Sequence, residues 1–260
     1  MKRSLRVLKL GAAGLLLPLF AAGALVFWSF AGEPLPDGAD LPGGARLIKD
    51  GFVAFFLIPA GKGTFALIDC GIDPSGKALK AELARRGAGL DAVKAAFLTH
   101  GHGDHVAGCH LLPSAEILSM PEDVALAAGT AVSNSPVGRF NRNERDRAAK
   151  VKRTLKDGET VQVGELSVQA FAVPGHTSGS AVFLAGEVLY LGDSAVHAKD
   201  DKLKGSPWLF SESVEQNHRS LRALQRRLAE AKAKVVALAF AHFAPMNGTK
   251  ALEDFAAEQD

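Results

Sequence analysis

The stretch Thr99-His100-Gly101-His102-Gly103-Asp104-His105 gathers three histidines and one carboxylate into seven residues, directly after an apolar run at 93–98. Imidazole nitrogen and carboxylate oxygen are borderline-to-hard ligands suited to zinc, iron or manganese, and both bind in their proton-free form. Packing does not need such groups side by side in a glycine-punctuated loop. The stretch therefore reads as metal chemistry carried at the end of a buried strand.

Three more polar positions follow apolar runs further along. They are His176 in Pro174-Gly175-His176-Thr177-Ser178-Gly179-Ser180, Asp193 in Leu191-Gly192-Asp193-Ser194, and His242 in Phe240-Ala241-His242-Phe243. Strand ends at one edge of a rigid scaffold bring distant loops together. With the seven-residue loop they supply five histidines and two aspartates for one site.

Around these positions the body alternates strands and helices. Residues 52–58 and 64–69 predict a β-hairpin through Pro59-Ala60-Gly61-Lys62-Gly63. Residues 75–86 predict an amphipathic helix ended by Gly87, and a helix from Asp104 or His105 stops at Pro113. A short strand is expected at 115–120, followed by a polar helical stretch. Between 139 and 153 lie seven basic residues against two acidic, Arg142, Arg145, Arg147 and Lys150 among them. That run reads first as a solvated helix face, and as a functional alternative it is a basic lid over an anionic substrate or a lipid surface. Short strands at 159–163, 166–173, 180–184 and 188–191 precede a strong amphipathic helix at 213–232, with Leu221, Leu224 and Leu228 on one face. A last buried strand at 235–240 leads to His242. The sum is an α/β fold with two sheets and helices on both outer faces.

The 260 residues, 47% hydrophobic with 27 glycines, suffice for one larger domain with its own core. The formal charge is +2, but Lys2, Arg3, Arg6 and Lys9 precede an apolar run, so the rest is close to neutral and carries no nucleic-acid footprint. Residues 10–31 hold no charged side chain, and this length spans about 30 Å of hydrocarbon as a helix. With Glu33, Asp37 and Asp40 after it, the positive-inside bias sends the body across a membrane. Residues 1–32 are expected to be an uncleaved anchor in preference to a cleaved signal peptide, placing the body in the periplasm or outside the cell, or secreting it if cleavage occurs. Residues 33–45, with their prolines and glycines, read as a flexible linker, and 46–260 as the functional domain. Cys70 and Cys109 are the only cysteines. They are expected to be buried thiols, with a single bridge as the alternative in an oxidising compartment.

The ordered set of these motifs resembles the metallo-β-lactamase fold superfamily, whose THxHxDH signature Thr99 to His105 matches letter for letter. The resemblance extends through the turn at His176, the Gly-Asp at Asp193 and the late His242. It implies a four-layer αββα sandwich of two mixed sheets. It further implies His100, His102 and His176 on one metal, Asp104, His105 and His242 on a second, and Asp193 bridging them. Two zinc ions are expected, with iron or manganese as substitutes. Cations about 3.5–4 Å apart hold a hydroxide between them that is a nucleophile at neutral pH. Asp104 is expected to take its proton as the catalytic base. Asp69, matching the family's IDxG strand end, would fix the tautomer of a ligand histidine, with Thr99 and Thr177 as further supporting donors. Trp208 and Phe210 are candidate walls of a substrate pocket. His110, His197 and His218 match no ligand position.

Within the superfamily this ligand set is similar to that of glyoxalase II, which hydrolyses a glutathione thioester. Only 18 residues follow His242, where glyoxalase II has a helical region that grips glutathione, so glutathione is not the expected substrate. The lactonase tyrosine has no counterpart at 194–199. The expectation is hydrolysis of an ester, thioester or lactone bond in a small molecule. The alternatives are an exported β-lactamase-like amidohydrolase and, behind it, a one-iron persulfide dioxygenase.

Overall fold

In the computed structural model, which describes residues 31–258 apart from 141, 145 and 146, two sheets face one another. The first has seven strands in sequential order: β1 (Gly38–Asp40), β2 (Arg46–Asp50), β3 (Val53–Pro59), β4 (Phe65–Ile68), β5 (Val93–Phe97), β6 (Glu116–Ser119) and β7 (Arg153–Thr154). β1 to β4 are antiparallel, and β4 to β7 run parallel, joined by crossovers through helices. The second sheet takes β8 (Thr160–Val163), β9 (Leu166–Ala172), β10 (Ala181–Ala185) and β11 (Val188–Gly192). A ribbon of β12 (Ala195–His197) and β13 (Leu203–Gly205) follows. β14 (Ala237–Phe240) then lies parallel to β11 and carries β15 (Met246–Asn247) on its outer edge.

Strands buried on both faces read as continuous apolar runs, and β3 shows why. Ala54, Phe56 and Ile58 point between the sheets, meeting Phe97, Phe183 and Tyr190. Phe55 and Leu57 point outward, under helix α1 (Lys77–Arg85) with its Leu79 and Leu83. Beyond α1 come the one-turn helices α2 (Gly103–Val106) and α3 (Val124–Ala127). On the far side α4 (Val214–Glu230) lays Leu221, Leu224 and Leu228 on the second sheet, and α5 (Lys250–Ala257) adds Leu252 and Phe255. The outcome is the expected four-layer αββα sandwich.

Three expectations need correction. The linker at 33–45 is part of the fold: Glu33 N donates to His197 O at 2.9 Å, Pro34 bridges to Phe243, and β1 pairs along β2. Its prolines and glycines form turns within paired backbone, Gly43 and Gly44 at φ 71° and 74°, while Leu41 and Ala45 are buried. Second, the basic run at 139–153 is no helix among its described residues. It holds a short 3-10 turn at Gly138–Phe140 and irregular backbone before β7, because Asn143 spends its amide on Gly101 O (2.8 Å) and Leu126 O (2.9 Å). Third, Cys70 and Cys109 form a disulfide, with Cα atoms 5.4 Å apart. Closing a loop between residues 39 apart removes unfolded-state entropy corresponding to about 4 kcal/mol. The expected N-terminal anchor lies outside the described residues, among which no helix is long and apolar enough to cross a membrane.

Candidate metal centre

All seven sequence-predicted candidate ligands converge where strands of both sheets end. β5 delivers the histidine loop, β11 ends at Gly192 beside Asp193, and β14 ends just before His242. His176 sits in the turn between β9 and β10. Two glycines allow the approach. A Cβ on Gly192, at φ 53°, would stand 2.7 Å from the Thr99 side chain, and one on Gly175, at φ 140°, would stand 2.3 Å from Asn217 N.

Ligand atoms of His100, His102 and His176 lie within 4.8 Å of one another, as do those of Asp104, His105 and His242, and those of His100, His105 and Asp193. Asp193 stands between the first two trios: its Oδ2 is 3.2 Å from His242 Nε2 and 3.6 Å from His176 Nε2, and its Oδ1 is 3.4 Å from His105 Nε2. Asp104 Oδ2 is 3.5 Å from His242 Nε2 and 3.7 Å from His105 Nε2.

The surrounding hydrogen bonds choose the free nitrogen of each ring. Asp69, buried at the end of β4, accepts from Thr99 N (2.8 Å), Thr99 Oγ1 (2.7 Å) and His105 Nδ1 (2.8 Å). The Thr99 hydroxyl proton is thereby used, so its oxygen accepts from His100 Nδ1 at 3.1 Å. His242 Nδ1 donates to Phe52 O at 2.9 Å, and His176 Nδ1 faces Ser211 Oγ at 3.4 Å. These four rings all turn Nε2 inward, whereas His102 turns Nδ1 to within 3.1 Å of His176 Nε2. Two nitrogens on one tetrahedral zinc stand about 3.3 Å apart. Asp69 thus reaches the His105 ring and Thr99 the His100 ring, whereas the Thr177 hydroxyl goes to Asp123 Oδ2 (2.8 Å).

The donor set fits cations. His100 Nε2, His105 Nε2 and Asp193 Oδ1, all turned into the site, are buried with no hydrogen-bond partner, an arrangement native interiors avoid unless something else fills the gap. Burial, followed by neighbouring rings, holds the His100 pKa well below its ordinary value; burial also lowers His102 and takes His176 down to about 3. These rings are uncharged and ready to bind. His105 and His242 go the other way. Burial alone would lower them, but the carboxylates of Asp193 and Asp104 outweigh it and raise both. Burial would in turn raise Asp193, yet His242 and His105 hold it well below the usual carboxylate range. The pocket is built for positive charge.

His100, His105 and His176 are fully buried, while His102, Asp104, Asp193 and His242 are partly open to solvent and mark the direction of approach. Exposed Phe52 stacks on the His242 ring at 5.7 Å. Trp208 is 60% exposed, on a 3-10 turn, Trp208–Phe210, that leads into Ser211 beside His176; Phe210 is half-buried on the same turn. His110, His197 and His218 are held elsewhere, by Ala107 O, Ala244 O and the Phe255 ring respectively.

Two buried residues escaped the sequence reading. Asn217 ties the start of α4 to the site, donating to Ser194 O and accepting from Ser206 N, both at 2.9 Å. Its signal was present: it lies on the Leu221, Leu224 and Leu228 stripe, where a polar side chain must have a partner. Asp123 gave no signal in the sequence. It joins the two histidine loops, accepting from Gly101 N (2.7 Å), Thr177 Oγ1 (2.8 Å) and Gly179 N (2.9 Å). Burial pushes its carboxyl up to about 6 against these donors. A pKa raised on folding adds stability that is complete below the unfolded value and is lost as pH rises through the folded one. Asp123→Asn removes that titration. In urea unfolding of the metal-free proteins, the advantage of wild type over this variant is expected to be about 2 kcal/mol larger near pH 4 than near pH 7. A difference independent of pH contradicts this role.

Comparison with known proteins agrees with this architecture. The family model described as the metallo-β-lactamase superfamily matches residues 48–239. The chain belongs to the metallo-β-lactamase superfamily. Among curated relatives it is similar to a hydroxyacylglutathione hydrolase of Methylococcus capsulatus, 33% identical over 187 residues, covering 72% of this chain and 61% of that protein. A protein of the same name from Cereibacter sphaeroides is 30% identical over 66% of this chain and 56% of its own length. The chain thus spans about three fifths of these superfamily relatives. Among solved structures, a B3 metallo-β-lactamase with an active-site glutamic acid superposes with a TM-score of 0.64 at 22% identity, covering 86% of this chain and 87% of that one, a likeness of fold. A metallo-β-lactamase family protein from Thermus thermophilus gives 0.58 at 25% identity, covering 84% and 80%.

Proposed function

We propose that this chain is a metal-dependent hydrolase that holds two cations, zinc in the first instance, and cleaves an ester, thioester or lactone bond in a small molecule. The observation that carries the reading is Asp193 standing between two separate trios of candidate ligands. His100, His102 and His176 would hold one cation, Asp104, His105 and His242 the other, with Asp193 shared. Bound there, the ions would supply Lewis-acid polarisation of the scissile carbonyl and an acidified water. The relatives named hydroxyacylglutathione hydrolase support a thioester as the first bond to try.

The chain's own residues supply the remainder. Asp69, Thr99, Ser211 and Phe52 O orient the rings before any ligand arrives, so binding needs little rearrangement. Asp104, on the open side of the pocket, takes the proton of the attacking water at Oδ1, leaving Oδ2 to face His105 and His242, and passes it to the leaving group. Asp104→Ala is expected to abolish turnover in a folded, partly metallated protein; activity above about a tenth of wild type contradicts the assignment. Trp208, with Phe210 on the same turn, is assigned to the substrate side. Trp208→Ala is therefore expected to raise KM for the best substrate about tenfold with metal content unchanged, and unaltered kinetics reject that placement.

The reading includes attachment to a membrane through residues 10–31, with the body outside the cytoplasm. It is supported by the uncharged run and by the Cys70–Cys109 disulfide, which suits an oxidising compartment. Cell fractionation with protease protection tests it. The substrate is tested by a panel of thioesters, lactones, β-lactams and phosphodiesters on the zinc-loaded protein. A preference for a thioester, ester or lactone is expected, whereas a preference for β-lactams or phosphodiesters overturns the bond assigned here.

A further inference from the structure

We propose that the Cys70–Cys109 disulfide is a positioning element of the metal centre, one that sets the affinity of the Asp104, His105 and His242 trio for its cation and bears less on the His100, His102 and His176 trio. The proposal rests on the two-cation reading above and concerns how one of the two sites is kept in place.

The bridge joins two segments that both meet this trio. Cys70 follows Asp69, the residue that holds His105 Nδ1 at 2.8 Å. Cys109 lies in the 3-10 turn Ala107–Leu111, four residues beyond His105 and continuous with the helix that carries Asp104 and His105. Between the two sulfurs the backbones are zipped together: Cys70 N donates to His105 O at 2.7 Å, and Ala107 N donates to Gly71 O at 3.1 Å. A Cβ on Gly108 would stand 2.4 Å from Cys70 O, so the segments touch along their whole shared length.

Helix α2 needs such a brace. It has four residues and no side-chain cap at its N-terminus, far short of the length at which a helix holds itself. Where Asp104 and His105 point is therefore set by what their helix is tied to, and the disulfide is the covalent tie. The other trio has ties of its own. His176 meets Ser211, and the loops that carry His100 and His176 are joined at Asp123, contacts that pass through neither cysteine. It also shares part of the brace, since Thr99 beside His100 bonds to Asp69 and His102 stands at the N-terminal cap of α2. Both cysteines are buried, so the bridge acts from below the site and does not touch substrate.

Support around candidate ligands, when lost, typically costs tenfold to a hundredfold in metal affinity. The expected consequence is a chain whose second cation site is complete only when the disulfide has formed, so that metal loading follows the redox state of the compartment.

The test is calorimetric titration of zinc into metal-free wild type, Cys70→Ala/Cys109→Ala and Leu228→Ala. A second bridge variant, Cys70→Val/Cys109→Ala, refills the space of the sulfurs. Leu228 lies on the buried face of α4 in the outer core, so its loss lowers stability without altering the brace. Wild type is expected to bind zinc in two phases. In both bridge variants one phase is expected to weaken at least tenfold and the other by clearly less, while Leu228→Ala keeps both. Cobalt loading gives an independent readout, since the visible bands of one site are expected to fade more than those of the other. Two unchanged phases in the bridge variants overturn the proposal, and so does an equal weakening in Leu228→Ala, which would mark a general loss of stability. A single phase in wild type overturns the two-cation reading itself, and this proposal with it.

Discussion

Asp193→Asn is expected to lower zinc content from two ions per chain to at most one and activity to below about a hundredth of wild type, with the fold intact. A supporting contact alone is typically worth tenfold to a hundredfold in metal affinity or activity, and Asp193 stands closer than that. Its two oxygens face His105, His176 and His242 at 3.2 to 3.6 Å, so one carboxylate answers to both trios. Its charge is also among the principal influences that raise His105 and His242 above their ordinary pKa. Asparagine keeps the volume and one acceptor oxygen but removes the charge that two adjacent cations would need. Metal analysis of the dialysed variant beside an unfolding curve checks the outcome. Retention of both ions would show that Asp193 is dispensable.

Asp69→Ala is expected to cost about 4 kcal/mol of stability in the metal-free protein and tenfold or more in zinc affinity. The side chain is buried and accepts three hydrogen bonds, so its removal strands a backbone N–H, a hydroxyl and the His105 ring nitrogen without partners. Asp69 also sits at φ 60°, a left-handed conformation that aspartate and asparagine tolerate better than alanine. Asp69→Asn separates the two effects, since it keeps the backbone preference and loses the charge. Urea unfolding of both variants measures them, and a loss below about 1 kcal/mol for the alanine variant contradicts the role given to Asp69.

The legible part of the fold was the part written in long apolar runs and in the seven-residue loop. β3, β5, β9 and α4 lie where their patterns put them, because strands buried on both faces and an amphipathic helix carry their burial in the order of residues. The short edge strands were not legible. β1, β7 and β15 hold two or three residues each, paired by backbone groups that every sequence has. The proline and glycine of 33–45 read as looseness for the same reason: turn residues look alike whether or not the chain around them is paired. The run at 139–153 misleads because charge alone does not make a helix when Asn143 can satisfy carbonyls of the histidine loop instead.

The seven candidate ligands that lie together could be named from the sequence because each residue type announces its chemistry, and Asp69 and Thr99 beside them were named with them. The rest of the surrounding network could not. Asp123 bonds to residues 22 and 56 positions away, and Cys70 pairs with a cysteine 39 positions on. Distances of that kind exist only in the folded chain. Asn217 is the exception, a polar residue on an apolar stripe, and similar breaks in a helix pattern are worth reading as supports of a site.

The shared role of Asp193 is decided by how many ions the folded chain holds. Native mass spectrometry of the zinc-loaded protein, after removal of loosely bound metal, counts them directly. Two zinc ions per chain are predicted, falling to at most one in Asp193→Asn. A wild type that carries one ion, or an unchanged count of two in the variant, contradicts the bridging position on which the proposed chemistry depends.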